Sequence, residues 1–267
     1  YPWLGVPQNQ IYIAKSLLEC NYLQGLEGDC DSAHLNFLHR MFKPDARREF
    51  LNISDQAPDF EFDDMPFGVR AAAIRRMNSG ATYARVSHFV MPFIGAVPVG
   101  SMVDNLLDGF KAVYQVPADD HNSWRYDCFF KWSRPFSKED SSKRDFVDAG
   151  YKKLRNKRNN YLQNRDIQQQ VNFTGITEFL NQDACATESI GPIVDRGVEH
   201  LGASDAFIIQ VRRFLLRAVR DFQAGKEPPG LIYDPEENNF AHVRCEAAQL
   251  PAGISWRSLY DNGTSER

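Results

Sequence analysis

The stretch Glu27-Gly28-Asp29-Cys30-Asp31-Ser32-Ala33-His34-Leu35-Asn36-Phe37-Leu38-His39 carries two histidines five residues apart and an aspartate three residues before the first. In a regular α-helix, residues five apart point about 140° away from each other, so His34 and His39 would not share a face. A π-type bulge, with its wider turn, would bring them together, and such bulges occur mostly at functional sites. Asp31 lies beside His34 on the helical face. A carboxylate next to a ligating imidazole accepts its other ring proton and fixes tautomer and ring direction. Two histidines make an incomplete metal site. One more carboxylate would complete a facial triad of two imidazoles and an acid, which leaves open positions on Fe(II) for dioxygen. Spacing does not select that carboxylate from the 35 acids of the chain, and the bare H-x4-H pattern is a weak signal that two structural histidines would also satisfy.

Outward from this stretch, the chain is an ordinary globular one. It has 267 residues, 43% of them hydrophobic and 25% charged, enough for one large domain with a core of normal size. A net charge of −4 does not suggest a nucleic-acid binder. The longest weakly polar run, residues 89–99, is broken by Pro92 and Pro98 and is too short to span a bilayer. No signal peptide is visible. The chain opens with Tyr1-Pro2-Trp3-Leu4-Gly5-Val6-Pro7, which reads as a linker that follows an upstream domain. Cys20, Cys30, Cys128, Cys185 and Cys245 are widely spaced, with no C-x-x-C or C-x-H pair. Buried reduced thiols in a cytoplasmic protein are expected, and neither a disulfide scaffold nor a cysteine cluster.

Hydrophobic patterning predicts an α+β fold. A short strand at 11–13 leads into a helix that starts near Asn21 and runs past His39. Strands are expected at 67–76, 82–90, 96–102, 110–116 and 124–132, with turns at Asn78-Ser79-Gly80 and Asp119-Asp120-His121-Asn122-Ser123. Consecutive strands joined by short turns imply an antiparallel sheet. Residues 133–170 are highly charged and include Lys152-Lys153-Leu154-Arg155-Asn156-Lys157-Arg158. That run reads as a solvated surface, or as a docking patch for an acidic electron-transfer partner. A last helix is expected over 206–223, capped by Ser204-Asp205 and ended by Gly225, with Ile208, Val211, Leu215 and Val219 as its apolar stripe. The helices should pack on one face of the sheet.

Two blocks of residues then carry a resemblance. Asn21-Tyr22-Leu23-Gln24, Glu27-Gly28 and Asp31-x2-His34-x4-His39 form the first. Asn181-Gln182-Asp183, Glu188-Ser189-x-Gly191-Pro192-Ile193, Asp195-Arg196, Glu199-His200-Leu201-Gly202 and Ser204-Asp205 form the second. The first resembles the iron-site motif of Rieske non-heme iron ring-hydroxylating oxygenases, α subunit. The second resembles the C-terminal signature of the phthalate dioxygenase-like branch. Order and separation are family-like, and the resemblance covers nearly the whole chain. It implies that Asp183 is the third iron ligand and that the fold is a helix-grip (START-like) domain, a curved antiparallel sheet covered by helices. It implies a homotrimer or stacked trimers, with Asp31 bridging to the Rieske [2Fe-2S] cluster of a neighbouring subunit. Electrons would come from NAD(P)H through a reductase or ferredoxin. The family's N-terminal Rieske motif, C-x-H…C-x2-H, does not occur in this sequence, so residues 1–267 correspond to the catalytic domain.

The expected activity is hydroxylation of an aromatic substrate, an aromatic acid, with O2. Members of the same family that hydroxylate once or remove an O-methyl group share these ligands. Two other classes compete: a metal-free helix-grip carrier of hydrophobic ligands, and a zinc hydrolase, which would lack its H-E-x-x-H spacing. His88 and His121 are read as structural or exposed, His200 beside Glu199 as a packing or interface residue rather than a ligand, and His242 carries no signal. For the substrate carboxylate, strand alternation makes Arg70 the first candidate and Arg85 the second, since a buried guanidinium needs an anion and pairs with a carboxylate through two parallel hydrogen bonds. The alternative is an outward-facing arginine paired with Asp63 or Asp64.

Overall fold

The computed structural model describes residues 1–43, 50–99, 108–136, 147–238 and 240–261. Eight strands form one antiparallel sheet: β1 (Ile11–Leu18), β2 (Asp59–Met65), β3 (Gly68–Arg76), β4 (Thr82–Val90), β5 (Ile94–Pro98), β6 (Phe110–Pro117), β7 (Ser123–Phe130) and β8 (Glu246–Leu250). Their order is β1-β7-β6-β5-β4-β3-β2, and β8 pairs with residues 82–86 of β4, next to the stretch that β5 takes. Asn78-Ser79-Gly80 turns β3 into β4 as expected, with Met77 N donating to Ala81 O across it.

Alternation along the strands sorts side chains onto two faces. On one, Val69, Ala71 and Phe89 pack against Leu26 and Cys30 of α1 (Tyr22–Cys30) and against Phe207, Val211 and Phe214 of α5 (Ala206–Gln223). Before α5 in the described chain come α3 (Arg165–Gln170) and α4 (Phe179–Ser189). The opposite face is also covered. Trp3 from the N-terminal segment packs on Phe110, Ala112, Cys128 and Phe130, while Trp256 and the short α6 (Ser258–Asp261) close over Ala72, Ala84 and Val86. The α+β expectation holds, but helices and chain ends cover both faces rather than one. Among the described residues no helix is long and apolar enough to cross a membrane.

The expected helix through His39 is broken. α1 ends at Cys30; Asp31 is extended (φ −75°, ψ 116°) and its carboxylate accepts from the amides of Ala33 (2.7 Å) and His34 (3.3 Å). A short acidic side chain bonded to the next amides competes with helix continuation. A four-residue helix, α2 (Leu35–Leu38), follows, with the two histidines at its ends. No π-bulge is needed, because the break itself redirects the chain.

Other boundaries moved too. β1 runs to Leu18 rather than stopping at residue 13. β2 was missed, because Asp59-Phe60-Glu61-Phe62-Asp63-Asp64 carries acids that reduce strand propensity; it pairs along β3 all the same. The strand expected at 96–102 is β5, and residues 100–102 lie outside the described ones. Asp205 holds the N-cap position of α5 as expected, but its carboxylate accepts from Gly202 N at 2.7 Å and makes no capping bond to the helix. The buried stripe of α5 is Phe207, Val211, Phe214 and Ala218, whereas Val219 is 51% exposed. Gly225 ends that helix with φ +72°, its amide donating to Phe222 O, the left-handed terminator glycine supplies without a Cβ penalty. In the charged run, Lys153 is buried and paired with Glu188 at 2.7 Å, and Arg155 and Arg158 pair with Glu178 and Glu19. Lys153 is thus drawn into the interior, while Lys152, Lys157 and Arg158 stay at the surface. All five cysteines are free, and four are buried.

One backbone approach sets a stability prediction. Gly109 has φ +95°, and a Cβ there would lie 2.0 Å from Phe130 O. Gly109→Ala meets both the left-handed penalty and a clash with an immovable carbonyl. It is expected to lower the unfolding free energy by about 2 kcal/mol or more. A urea midpoint equal to that of the native chain would contradict this.

Candidate metal centre

α2 and α4 bring three side chains together. Nε2 of His39 lies 2.8 Å from Oδ1 of Asp183, and Nε2 of His34 lies 3.6 Å from the same oxygen. One donor atom from each of His34, His39 and Asp183 falls within 4.8 Å of the others. Among the described residues this is the group of histidine, cysteine or acidic side chains arranged to hold an ion. Two cis donors at roughly 2.0–2.2 Å from a first-row metal stand about 3 Å apart, so these spacings fit a common centre. Nε2 of His39 is buried without a hydrogen-bond partner, which suits a lone pair aimed at a cation. The two histidines stand at the two ends of α2 rather than one turn apart on a continuous helix, and the third ligand comes from the first turns of α4.

The electrostatics agree. Burial raises the Asp183 carboxyl, but His39, His34 and Arg125 outweigh it and hold the group well below the carboxylate range. It is an anion at any pH near neutral. Burial lowers the His34 imidazole, yet Asp31 and Asp183 more than offset this and raise it. The acids around the site thus favour positive charge there. Asp31 stands at the rim, its side chain 24% exposed, with Oδ2 3.6 Å from Nδ1 of His34. That spacing is a charge contact, longer than the hydrogen bond expected from the sequence. The carboxylate instead spends its oxygens on the Ala33 and His34 amides.

Beneath the centre lies a buried charge network. Arg125 of β7 donates to Asp29 at 2.9 Å and to Asp127 at 2.9 and 3.0 Å, and Lys111 lies 3.4 Å from Asp127. Gln115 adds a bond to Asp29 at 2.7 Å. Buried charges need such complete pairing, and here the pairing ties α1 to β6 and β7. Beside the network, a cavity of about 290 Å³ is lined by Asp31, His34 and Asp183 with Leu38, Leu180 and Arg125, near the lower end of small-molecule sites at roughly 300–1,000 Å³.

Arg70 is not brought to this centre. Alternation sends it to the face under α6, where it donates to Asp63 at 2.6 and 3.1 Å and lies over Tyr260 at 4.3 Å. This is the outward pairing weighed against it from the sequence; with an acid already in place it needs no substrate anion. Arg85 points to the face that carries α1, is 9% exposed, and donates to Pro98 O at 2.9 Å. It does not line the cavity. The sequence reading missed Arg75, on that same face and 1% exposed, which donates to the Ser32 carbonyl at 2.7 Å and hydroxyl at 3.2 Å. Burial, then Arg85, push its guanidinium down to about 10. Neither arginine makes an ion pair with a carboxylate among the described residues. The only signal in the sequence was alternation, which gives a face and not a depth. His88 is fully buried, bonded to Arg244 O at 2.8 Å and pushed by burial down to about 4; His121, His200 and His242 are exposed.

The chain is 34% identical over 249 residues to the phthalate 4,5-dioxygenase oxygenase subunit of Pseudomonas putida, covering 85% of this chain and 55% of that protein. It is 28% identical to the 3-chlorobenzoate-3,4-dioxygenase oxygenase subunit of Comamonas testosteroni, covering 97% of this chain and 64% of that protein. A third relative, at 24% identity, is the 5,5'-dehydrodivanillate O-demethylase oxygenase subunit of a Sphingobium strain, with 85% of this chain and 48% of that protein covered. The chain thus spans about half to two-thirds of the length of these relatives. The family model described as LigXa C-terminal domain like matches residues 1–266. Sheet, helices and the three-residue cluster all fall inside that match, and the chain belongs to the LigXa C-terminal domain-like family.

Proposed function

We propose that the chain is the catalytic domain, residues 1–267, of the oxygenase component of a Rieske-type non-heme iron ring-hydroxylating dioxygenase. The observation that carries this reading is the convergence of His34, His39 and Asp183 within 4.8 Å. In it these three side chains hold one Fe(II), which supplies open positions for dioxygen when bound. A hydrophobic-ligand carrier would have no use for an orphaned buried imidazole nitrogen opposite an ionised carboxylate. The relatives' names add the aromatic acids phthalate and chlorobenzoate, and an aromatic acid is the substrate class assigned here. Electrons come from a Rieske [2Fe-2S] cluster outside this chain, supplied by NAD(P)H through a reductase or ferredoxin. The working assembly is a homotrimer or stacked trimers in the cytoplasm.

The chain's own residues do the positioning. Asp183 stays ionised because His39, His34 and Arg125 face it. Asp31 orients the His34 backbone and places a negative charge near Nδ1 of that ring. Leu38 and Leu180 line the cavity beside the centre and exclude water. Arg85 and Arg75 lie outside the cavity beside the centre, so a substrate carboxylate that they take extends beyond it. Two buried guanidiniums on one sheet face without a paired acid leave a positive field that an anion relieves.

Replacing Arg85 with methionine is expected to raise KM for an aromatic acid by about ten- to a hundredfold, the worth of one hydrogen bond to a charged group. KM for the methyl ester should hardly change. Equal effects on both would remove Arg85 from the substrate site. The relative named as an O-demethylase subunit supports a second outcome for the same centre, removal of an O-methyl group. Product analysis with the complete electron-transfer chain separates them: a cis-diol marks dioxygenation, a phenol monohydroxylation, and formaldehyde demethylation. No oxygenated product from any aromatic acid would overturn the reading.

A further inference from the structure

The two imidazoles of the centre are held from behind in different ways. His34 has an acid there, Asp31 at 3.6 Å. His39 has a neutral amide: its Nδ1 is 2.6 Å from Oε1 of Gln182, a residue 4% exposed and one position before Asp183. The direction of that amide is settled by its other end. Nε2 of Gln182 donates to Ile176 O at 2.7 Å and to Thr174 Oγ1 at 3.1 Å. The Thr174 hydroxyl is itself turned towards Asn172 Oδ1 at 3.0 Å, and Asn172 Nδ2 holds Ile176 O at 2.9 Å. Reversing the amide would set its oxygen against the Ile176 carbonyl, two acceptors in contact inside the protein, and would lose both donors. Oε1 therefore faces His39, and an amide oxygen only accepts. The hydrogen between them belongs to Nδ1.

A ligating imidazole is neutral and carries one N–H; with that hydrogen on Nδ1, Nε2 has the lone pair for a metal. That is the nitrogen 2.8 Å from Asp183 Oδ1, buried with no hydrogen-bond partner. Phe179 stacks on the ring with centroids 3.4 Å apart and planes 13° apart, which fixes its tilt. We propose that Gln182 is a positioning residue: through Ile176, Thr174 and Asn172 it locks His39 in the Nδ1–H tautomer and presents Nε2 to the metal ion. This inference rests on the metal centre proposed above. The sequence gives it a local logic, since Gln182 and Asp183 are neighbours on α4: one helix turn supplies a ligand and the group that aims another ligand at the same point. It also divides the work between the imidazoles. His39, fully buried, is the ring fixed by backbone-anchored hydrogen bonds; His34, 23% exposed with Asp31, is the ring whose surroundings can respond to the outside.

The test uses Co2+ as the probe on the full chain, in three versions: native, Gln182→Leu and Gln182→Glu. Leucine keeps the volume but offers no acceptor; glutamic acid keeps an oxygen for the Nδ1 hydrogen. Gln182→Leu is expected to bind Co2+ ten- to a hundredfold more weakly, the usual cost of losing a ligand's outer partner, and to shift the visible d–d absorption. Gln182→Glu should recover most of the affinity, although its loss of both amide donors is the larger disturbance to the fold. That order, glutamate above leucine, is not what a merely structural role gives. Native affinity and an unshifted band in Gln182→Leu would overturn the inference, as would equal weakening in both variants. If the native chain itself takes up no Co2+, or takes it up equally well as His39→Ala, the metal centre fails and this inference with it, an outcome recognisable before any Gln182 variant is compared.

Discussion

Asp183→Asn is expected to lower iron affinity at least a hundredfold and to abolish turnover. Among the described residues the carboxylate is the anion in contact with both imidazoles, at 2.8 Å from His39 and 3.6 Å from His34. An amide of the same shape keeps an oxygen but loses the charge that a hard divalent ion favours. Outer partners of metal ligands already cost ten- to a hundredfold when removed, and a first ligand should cost more. The fold should survive. Side-chain contacts of Asp183 are made to the two histidines, and α4 is anchored elsewhere, through Glu188 to Lys153, Tyr161 and Glu19 N. Iron content after anaerobic reconstitution, measured beside the thermal unfolding midpoint, checks both halves. Retention of one iron per chain in the variant would contradict the assignment of Asp183.

Asp31→Asn should separate iron binding from turnover. Asp31 lies 3.6 Å from Nδ1 of His34 and far enough out to be 24% exposed, so it occupies the rim between that imidazole and the exterior. Asparagine retains an oxygen for the Ala33 amide, which preserves the turn between α1 and α2. It removes the negative charge that, together with Asp183, raises the His34 imidazole. Most of the iron is expected to remain, while turnover falls by about ten- to a hundredfold or more, because in the proposed assembly Asp31 lies on the electron path and its loss leaves a differently oriented ring. Single-turnover rates at matched iron content are the check. A variant with native rates would remove Asp31 from the electron path.

How much of this was legible in the sequence depends on what each residue has to satisfy. Strands β4, β6 and β7 are rich in β-branched and aromatic residues, β3 is set off by the Asn78-Ser79-Gly80 turn, and the limits of all four came within a residue or two of the structure. β2 and β8 were invisible. Acids in Asp59–Met65 and the short Glu246-Ala247-Ala248-Gln249-Leu250 carry little strand signal, and both strands exist because β3 and β4 offer open edges for them. His34, His39 and Asp31 could be picked out from spacing, but their geometry could not: periodicity assumes a continuous helix, and the Asp31 carboxylate ends it by bonding two amides. Asp183 came only from the family resemblance, since 149 positions separate it from His34 and local chemistry does not reach that far. Arg70 was misjudged and Arg75 overlooked for one reason. Alternation says which residues share a face, not which face is covered by what, and the acid that satisfies Arg70 belongs to the unrecognised β2. Gln182 stood inside a quoted block, but its role depends on Thr174 and Ile176, whose carbonyl and hydroxyl carry no pattern.

The central claim is that His34, His39 and Asp183 hold one iron. Anomalous diffraction at the iron edge, from crystals of the chain reconstituted anaerobically with Fe(II), tests it most directly. The account predicts a single strong peak about 2.0–2.3 Å from Nε2 of His34, Nε2 of His39 and a carboxylate oxygen of Asp183. Peaks only at other residues, or a fully ordered trio with no peak in iron-saturated crystals, would contradict it.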